Sequence, residues 1–314
     1  MSDPVLSRRN LLIAGLALPA VGLPATARAG SASDRVLKPG TGDYLFSGWA
    51  GPPIQVFYAA PDNLGPDTPV VVVIHGAQRD ADVYRDQWAD LARAGGFVVL
   101  APRFDKGAFP KESDFSQGGV FGEKDEVRPR KAWTFSAIEP MFDDYVRCNK
   151  SSRKSYRMYG HSGGSQFVHR FLFLTPAARA DRVVMANAGW YTLPDPTIAW
   201  PYGLKGLPAG AADPGAAFAR EATVLLGEAD IDPNHKSLRH TPQADAQGTF
   251  RFARGHSFFR SARDQAGRLG KPFNWTLAYV PGADHQNKLM APQAAAILSG
   301  EVASHPGDPE RRFD

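Results

Sequence analysis

An α/β fold with a mostly parallel central sheet is what this sequence predicts, and three observations carry the prediction. Strand-like apolar runs alternate with stretches of helical spacing through most of the chain. Val70-Val71-Val72-Val73-Ile74 is an unbroken β-branched run, the pattern of a strand covered on both faces. Tyr159-Gly160-His161-Ser162-Gly163-Gly164 reads G-x-S-x-G between a strand-like run, Ser155–Tyr159, and a helix-like one, Gln166–Phe173. There a serine on a tight strand-to-helix turn points away from the sheet, and the small neighbours let the backbone make that turn.

The elements follow in order. Residues 30–45 are small and polar and read as a flexible start. Ile54–Tyr58 is an early strand, and Val70–Ile74 stops at His75-Gly76-Ala77-Gln78. A helix over Asp82–Ala94 places Val83, Trp88 and Leu91 on one face and ends at Gly95-Gly96. Phe97–Ala101 is the next buried strand. Pro102–Pro129 is a long irregular stretch, either a wall of a pocket or a plain surface excursion. Trp133–Arg147 has helical spacing, with Ile138, Met141, Phe142 and Tyr145 toward a core. Val183–Ala186, Ala222–Leu226 and Asn274–Val280 read as strands, residues 194–216 as a loop, and Asn287–Leu298 as a terminal helix followed by a frayed polar tail from Ser304. No repeat is present, and residues 30–314 read as one domain.

Residues 1–29 read as an export signal. Arg8-Arg9 precedes an apolar run, Leu11–Leu23, and Ala27-Arg28-Ala29 has the small-x-small form of a cleavage site. The arginine pair resembles the bacterial twin-arginine signal, which implies the twin-arginine export machinery as a partner and a periplasmic or extracellular location. The run is shorter than the ~20 residues of a spanning helix, so no stable membrane anchor is expected after cleavage. Cys148 is the single cysteine, which excludes an internal disulfide and reads as a lone packing thiol. Arg8, Arg9 and Arg28 against Asp3 account for half of the formal charge of +4. The remainder is too small to point to nucleic acid.

Three side chains lie just past strand ends in the order Ser162, Asp230, His285, with Asp232 the alternative acid. Parallel strands put those ends on one sheet edge. A serine hydroxyl needs a base beside it, a histidine supplies one near neutral pH, and an aspartate fixes the imidazole tautomer. Gly163 and Ala77, with Gln78 the near alternative to Ala77, are the expected oxyanion donors. Trp190 and Tyr191 follow a strand end, where α/β sheets bind ligands, and are candidates for substrate contact. His161, His235 and His240 receive no catalytic role, and no H-E-x-x-H spacing, zinc motif or phosphate loop is present. No metal and no cofactor are expected. Lys236–Lys271 holds eight Lys/Arg against two Asp, the pattern of a solvated helix face or of an attractor for a polyanion.

The H-G turn, the G-H-S-G-G elbow, the G-x-x-D turn at Gly227–Asp230 and Asp284-His285 together resemble the α/β-hydrolase superfamily. Within it the chain resembles the extracellular polyester (polyhydroxyalkanoate) depolymerase and feruloyl-esterase-like group. The usual aromatic or cysteine after H-G is Ala77 here, and no substrate-binding module or linker follows His285. The resemblance implies a serine hydrolase that works through an acyl-enzyme and cleaves carboxylic esters of a small or polymeric substrate. Some hydrolases similar to this group cleave poly(aspartic acid), which gives an amide hydrolase of an acidic polymer as the alternative. A catalytically silent binding protein on the same fold is the second alternative.

Overall fold

The computed structural model describes residues 35–313. The export-signal reading of residues 1–29 lies outside them. Eight strands, β1 (Gly40–Phe46), β2 (Ile54–Ala60), β3 (Val70–Ile74), β4 (Val98–Arg103), β5 (Tyr156–His161), β6 (Ala180–Ala186), β7 (Glu221–Gly227) and β8 (Trp275–Val280), form one sheet. Its order is β1-β2-β4-β3-β5-β6-β7-β8. From β4 to β8 every pairing is parallel, whereas β2 runs antiparallel to both β1 and β4.

Both faces of the sheet are covered, as the unbroken apolar runs require. Val70, Val72, Ile74, Met158, Met185 and Leu226 belong to one core; Val71, Val73, Tyr159, Val184, Ala186 and Leu225 belong to the other. The alternation follows from the two-residue period of a strand. On the second face lie α1 (Ala81–Gly95) and α8 (Asn287–Ser299), through Trp88, Met290 and Ala294. The first face carries α3 (Ile138–Cys148), α4 (Gly163–Leu174) and α7 (Arg251–Arg268). Short helices α2 (Glu112–Phe115), α5 (Pro214–Phe218) and α6 (Pro242–Asp245) lie in the connections. Among the described residues no helix is long and apolar enough to cross a membrane.

Several expectations need correction. Gly40–Phe46 is a strand rather than a flexible start, because pairing with β2 outweighs the poor strand propensity of Gly40 and Gly42. In α1 the buried face is Ala81, Tyr84, Trp88 and Ala92, and Val83 is exposed. The segment read as one helix from Trp133 opens with a 3₁₀ turn, Thr134–Ala137, before α3. The tail is not frayed at Ser304: Gly307 N–H donates to Leu277 O at 2.7 Å and Tyr279 N–H to His305 O at 2.8 Å, so it covers the otherwise open edge of β8. The basic segment is not one solvated helix face either, since Arg251 and Arg254 are buried in α7.

Candidate active site

The chain leaves β5 through Ser162, whose φ of 57° and ψ of −119° lie in a region that side-chain-bearing residues rarely adopt. Such a backbone costs about 1–3 kcal/mol and is held only where packing overdetermines it. Packing does so here because α4 lies directly on the sheet. A Cβ on Gly164 would sit 2.1 Å from Ile74 O, and one on Gly160 would sit 2.2 Å from Gly164 O. Glycine at both positions therefore permits the contact that forces Ser162 outward.

The two other strand ends arrive beside it. His285 Nδ1 pairs with Asp230 Oδ2 at 2.7 Å, and Ser162 Oγ is 2.9 Å from His285 Nε2. Nδ1–H donates to the carboxylate, which leaves Nε2 free to accept from the serine hydroxyl. Asp232 is exposed and accepts from Asn234 N–H, so Asp230 is the acid that meets the imidazole. Asn187, just past the end of β6 and not among the expected residues, ties the turn that carries Asp230 to the loop that carries His285. Its Oδ1 accepts from Gly227 N–H at 2.8 Å and its Nδ2 donates to Asp284 O at 3.3 Å. Its own φ of 45° is a left-handed conformation that asparagine tolerates, the only signal that a sequence could have offered.

Ala77 N lies 3.0 Å from the position a Cβ on Gly163 would take, so the two expected donor segments are in contact. Gly163 opens α4, where its N–H lacks an intrahelical acceptor. His75 holds the Gly76-Ala77 turn from behind: Nδ1 donates to Gly76 O at 2.8 Å and Nε2 accepts from Phe104 N–H at 3.0 Å. That assignment needs a neutral ring, and burial pushes the His75 pKa down to about 3. Below pH 6.5 the unfolded chain therefore takes up a proton that the folded one refuses, so stability is lost as pH falls from 6.5 toward 3. At full linkage this is worth about 1.4 kcal/mol per pH unit. Burial shifts His161 and His169 the same way. The melting temperature should fall between pH 6.5 and 4.5, and less steeply in His75→Gln; parallel slopes in thermal melts would remove this account.

These groups open onto a cleft of about 810 Å³. Trp190 lines it and is only 1% exposed, its ring flanked by the guanidinium carbons of Arg170 at 4.3 Å and Arg239 at 4.9 Å. Tyr191 does not line the cleft: it is fully buried and stacks on Phe258 with centroids 4.4 Å apart. Core stacking claims the second of the two aromatics. Lys106, Glu112, Phe115 and Ser116 come from the long stretch after β4, which is thus a cleft wall. Five cationic side chains line the cleft, Arg79, Lys106, Lys236, Arg239 and Lys288, against Asp80 and Glu112. Glu112 is engaged by Arg239. Lys106, Lys236 and Lys288 are exposed and have no carboxylate within 4 Å among the described residues. Of the eight basic residues in Lys236–Lys271, only Lys236 and Arg239 reach the cleft. Among the described residues no group of three or more His, Cys, Asp or Glu side chains converges in a way that could hold a metal ion.

The fold has solved counterparts. Poly(aspartic acid) hydrolase-1 from Sphingomonas sp. KT-1 superposes with a TM-score of 0.81 at 45% identity, over 83% of this chain and 99% of that one. The chain belongs to the α/β-hydrolase family of serine hydrolases. This α/β-hydrolase also resembles LpqC, a poly(3-hydroxybutyrate) depolymerase from Bordetella parapertussis, with a TM-score of 0.78 at 29% identity over 85% of this chain and 94% of that one. A bifunctional acetylxylan esterase/xylanase, XynS20E of Neocallimastix patriciarum, is 30% identical over 129 residues, which are 40% of this chain. The match spans 16% of that relative's length. No family model matches the sequence.

Proposed function

We propose that this protein is an exported serine hydrolase that cleaves acyl bonds along an acidic polymer, with poly(aspartic acid) as the reference substrate. The observation that carries the reading is the cationic cleft built around the Ser162–His285–Asp230 relay. A polymer with one carboxylate per unit is drawn into such a cleft by several unpaired ammonium groups acting together. The 45% identity to a poly(aspartic acid) hydrolase supports the same substrate class. Export is supported by Arg8-Arg9, the apolar run after it and Ala27-Arg28-Ala29.

The chemistry follows from the atoms. Ser162 Oγ attacks the carbonyl carbon while its proton passes to His285 Nε2. Asp230 stabilises the imidazolium, and the Gly163 and Ala77 N–H groups receive the oxyanion, worth on the order of 3 kcal/mol for each donor. The proton then goes to the departing amine or alcohol. Water attacks the acyl-enzyme with His285 again as base, which releases the carboxylic acid and restores the serine. The same steps serve an ester, and the likeness to a poly(3-hydroxybutyrate) depolymerase favours a neutral polyester as the second reading.

The two are separated by incubating the purified protein with poly(aspartate), poly(3-hydroxybutyrate) film and p-nitrophenyl butyrate. Chain shortening of poly(aspartate) is expected, with kcat/KM falling at least tenfold between 20 and about 300 mM salt as exposed charges are screened. Lys236→Glu with Lys288→Glu should lower kcat/KM for the polyanion about tenfold and leave the neutral ester within twofold. Film clearance with no shortening of poly(aspartate) would establish the second reading instead.

A further inference from the structure

Asp230 has a second partner that the catalytic relay does not use. Arg251, in the first turn of α7, donates from Nη1 to Asp230 Oδ1 at 3.1 Å, the carboxylate oxygen that His285 leaves free. Its Nη2 donates to Ser237 Oγ at 2.9 Å and faces His235 Nδ1 at 3.2 Å. Both members of the pair are out of solvent, Arg251 at 1% and Asp230 at 3% exposure. The backbone closes the same unit, since Phe252 N–H donates to Asp230 O at 3.2 Å. A buried pair of this kind costs desolvation and is weak evidence for stability. Its geometry does something more specific: one oxygen is pinned by Nη1–H of a guanidinium whose Nη2 is itself anchored on Ser237, so the other oxygen keeps a fixed direction toward the imidazole.

We infer that Arg251 is a positioning residue for the Ser162–His285–Asp230 relay, one that holds the Asp230 carboxylate in the orientation that His285 meets. The inference rests on the reading that Ser162 is the nucleophile. The groups facing His285 are few. They are Asp230 from the turn after β7, His161 from β5 with ring centroids 4.8 Å away, and His235 at 5.6 Å. Asp284 precedes it in the chain, Lys236 and Lys288 line the same cleft, and Arg251 comes from α7. Burial holds His161 and His235 below their ordinary range, with the Arg251 charge adding to this, so neither brings a competing charge near neutral pH. Arg251 is therefore the one buried full cation on the relay among the described residues. Without it the carboxylate is free to turn, which lowers turnover and leaves the substrate-binding cleft unchanged.

The test is fluorophosphonate inactivation and the kcat and KM of p-nitrophenyl acetate hydrolysis, for the wild type, Arg251→Gln and Arg251→Lys. Glutamine can still donate to Asp230 but carries no charge; lysine keeps the charge and loses the second arm that reaches Ser237. Both should lower kcat about fivefold at unchanged KM and slow inactivation in proportion. A folded Arg251→Gln with unchanged kcat overturns the inference. Should Arg251→Gln fail to fold, Arg251→Lys decides: kcat about fivefold lower at unchanged KM supports the role, and unchanged kcat or a rise in KM alone overturns it. Wild-type protein that resists labelling at Ser162 would instead remove the serine-hydrolase reading beneath it, so the two failures are told apart.

Discussion

Ser162→Ala should lower kcat for p-nitrophenyl butyrate by about 10⁵-fold and abolish fluorophosphonate labelling, while the protein stays folded. The loss is large because the acyl-enzyme route disappears outright. What remains is the oxyanion site and the binding cleft, which still favour direct attack by water to a small extent. The fold should hold because the Cβ stays in place and only the bond from Ser162 Oγ to His285 Nε2 is lost. Stability is expected within about 1 kcal/mol of the wild type, the range for losing one such bond. The backbone strain at φ 57° is unchanged, since alanine meets the same steric limit as serine. His285→Ala should cost about as much, and Asp230→Asn about 10⁴-fold through the wrong imidazole tautomer. The three act as one unit, so Ser162→Ala with His285→Ala should be no slower than Ser162→Ala. Residual turnover above one per cent in Ser162→Ala, from protein free of contaminating esterase, would end the proposed mechanism.

Gly164→Ala is expected to destabilise the protein by about 4 kcal/mol and to inactivate what still folds. The new Cβ would meet Ile74 O at 2.1 Å, His75 O at 2.7 Å and Ile74 C at 2.8 Å. All three are backbone atoms of the central strand or its turn, which cannot swing aside as a side chain would. α4 must lift from the sheet, which overpacks the contact and loosens the elbow. The same movement carries Gly163 away from Ala77, so the oxyanion site opens as well. Gly267→Ala is the matched control: it lies in α7 with nothing within 4 Å of the new Cβ, and should stabilise by about 0.5–1 kcal/mol. Urea unfolding of the three proteins reads both numbers from the midpoint at constant slope. A Gly164→Ala midpoint equal to the wild type would show that the close approach of α4 to β3 is not what holds the elbow.

The relay residues were legible because each occupies a position that local sequence marks. Ser162 sits between glycines, Asp230 three residues after the strand-ending Gly227, and His285 just past the last strand. Parallel strands then leave little choice about where they meet. The weaker readings failed where long-range pairing overrules composition. Gly40–Phe46 looks unstructured until β2 is beside it, and the chain after Ser304 looks frayed until β8 offers an open edge. Trp190 and Tyr191 are neighbours of similar chemistry, yet only the packing of Phe258 decides which one is left for the cleft.

By itself, then, the sequence determined the fold class, the order of the strands' chemistry and the three residues of the relay, because strand periodicity and the glycine-bounded turn are local and act within a few residues. Tertiary structure alone decided the sign of the cleft and the surroundings of Asp230. Lys106 and Lys236 come from two separate connections and Lys288 from the first turn of α8, and the eight basic residues of Lys236–Lys271 divide between cleft, core and surface. Charge acts through space with a reach of several ångströms, so which charges work together depends on the folded distances and not on their spacing along the chain.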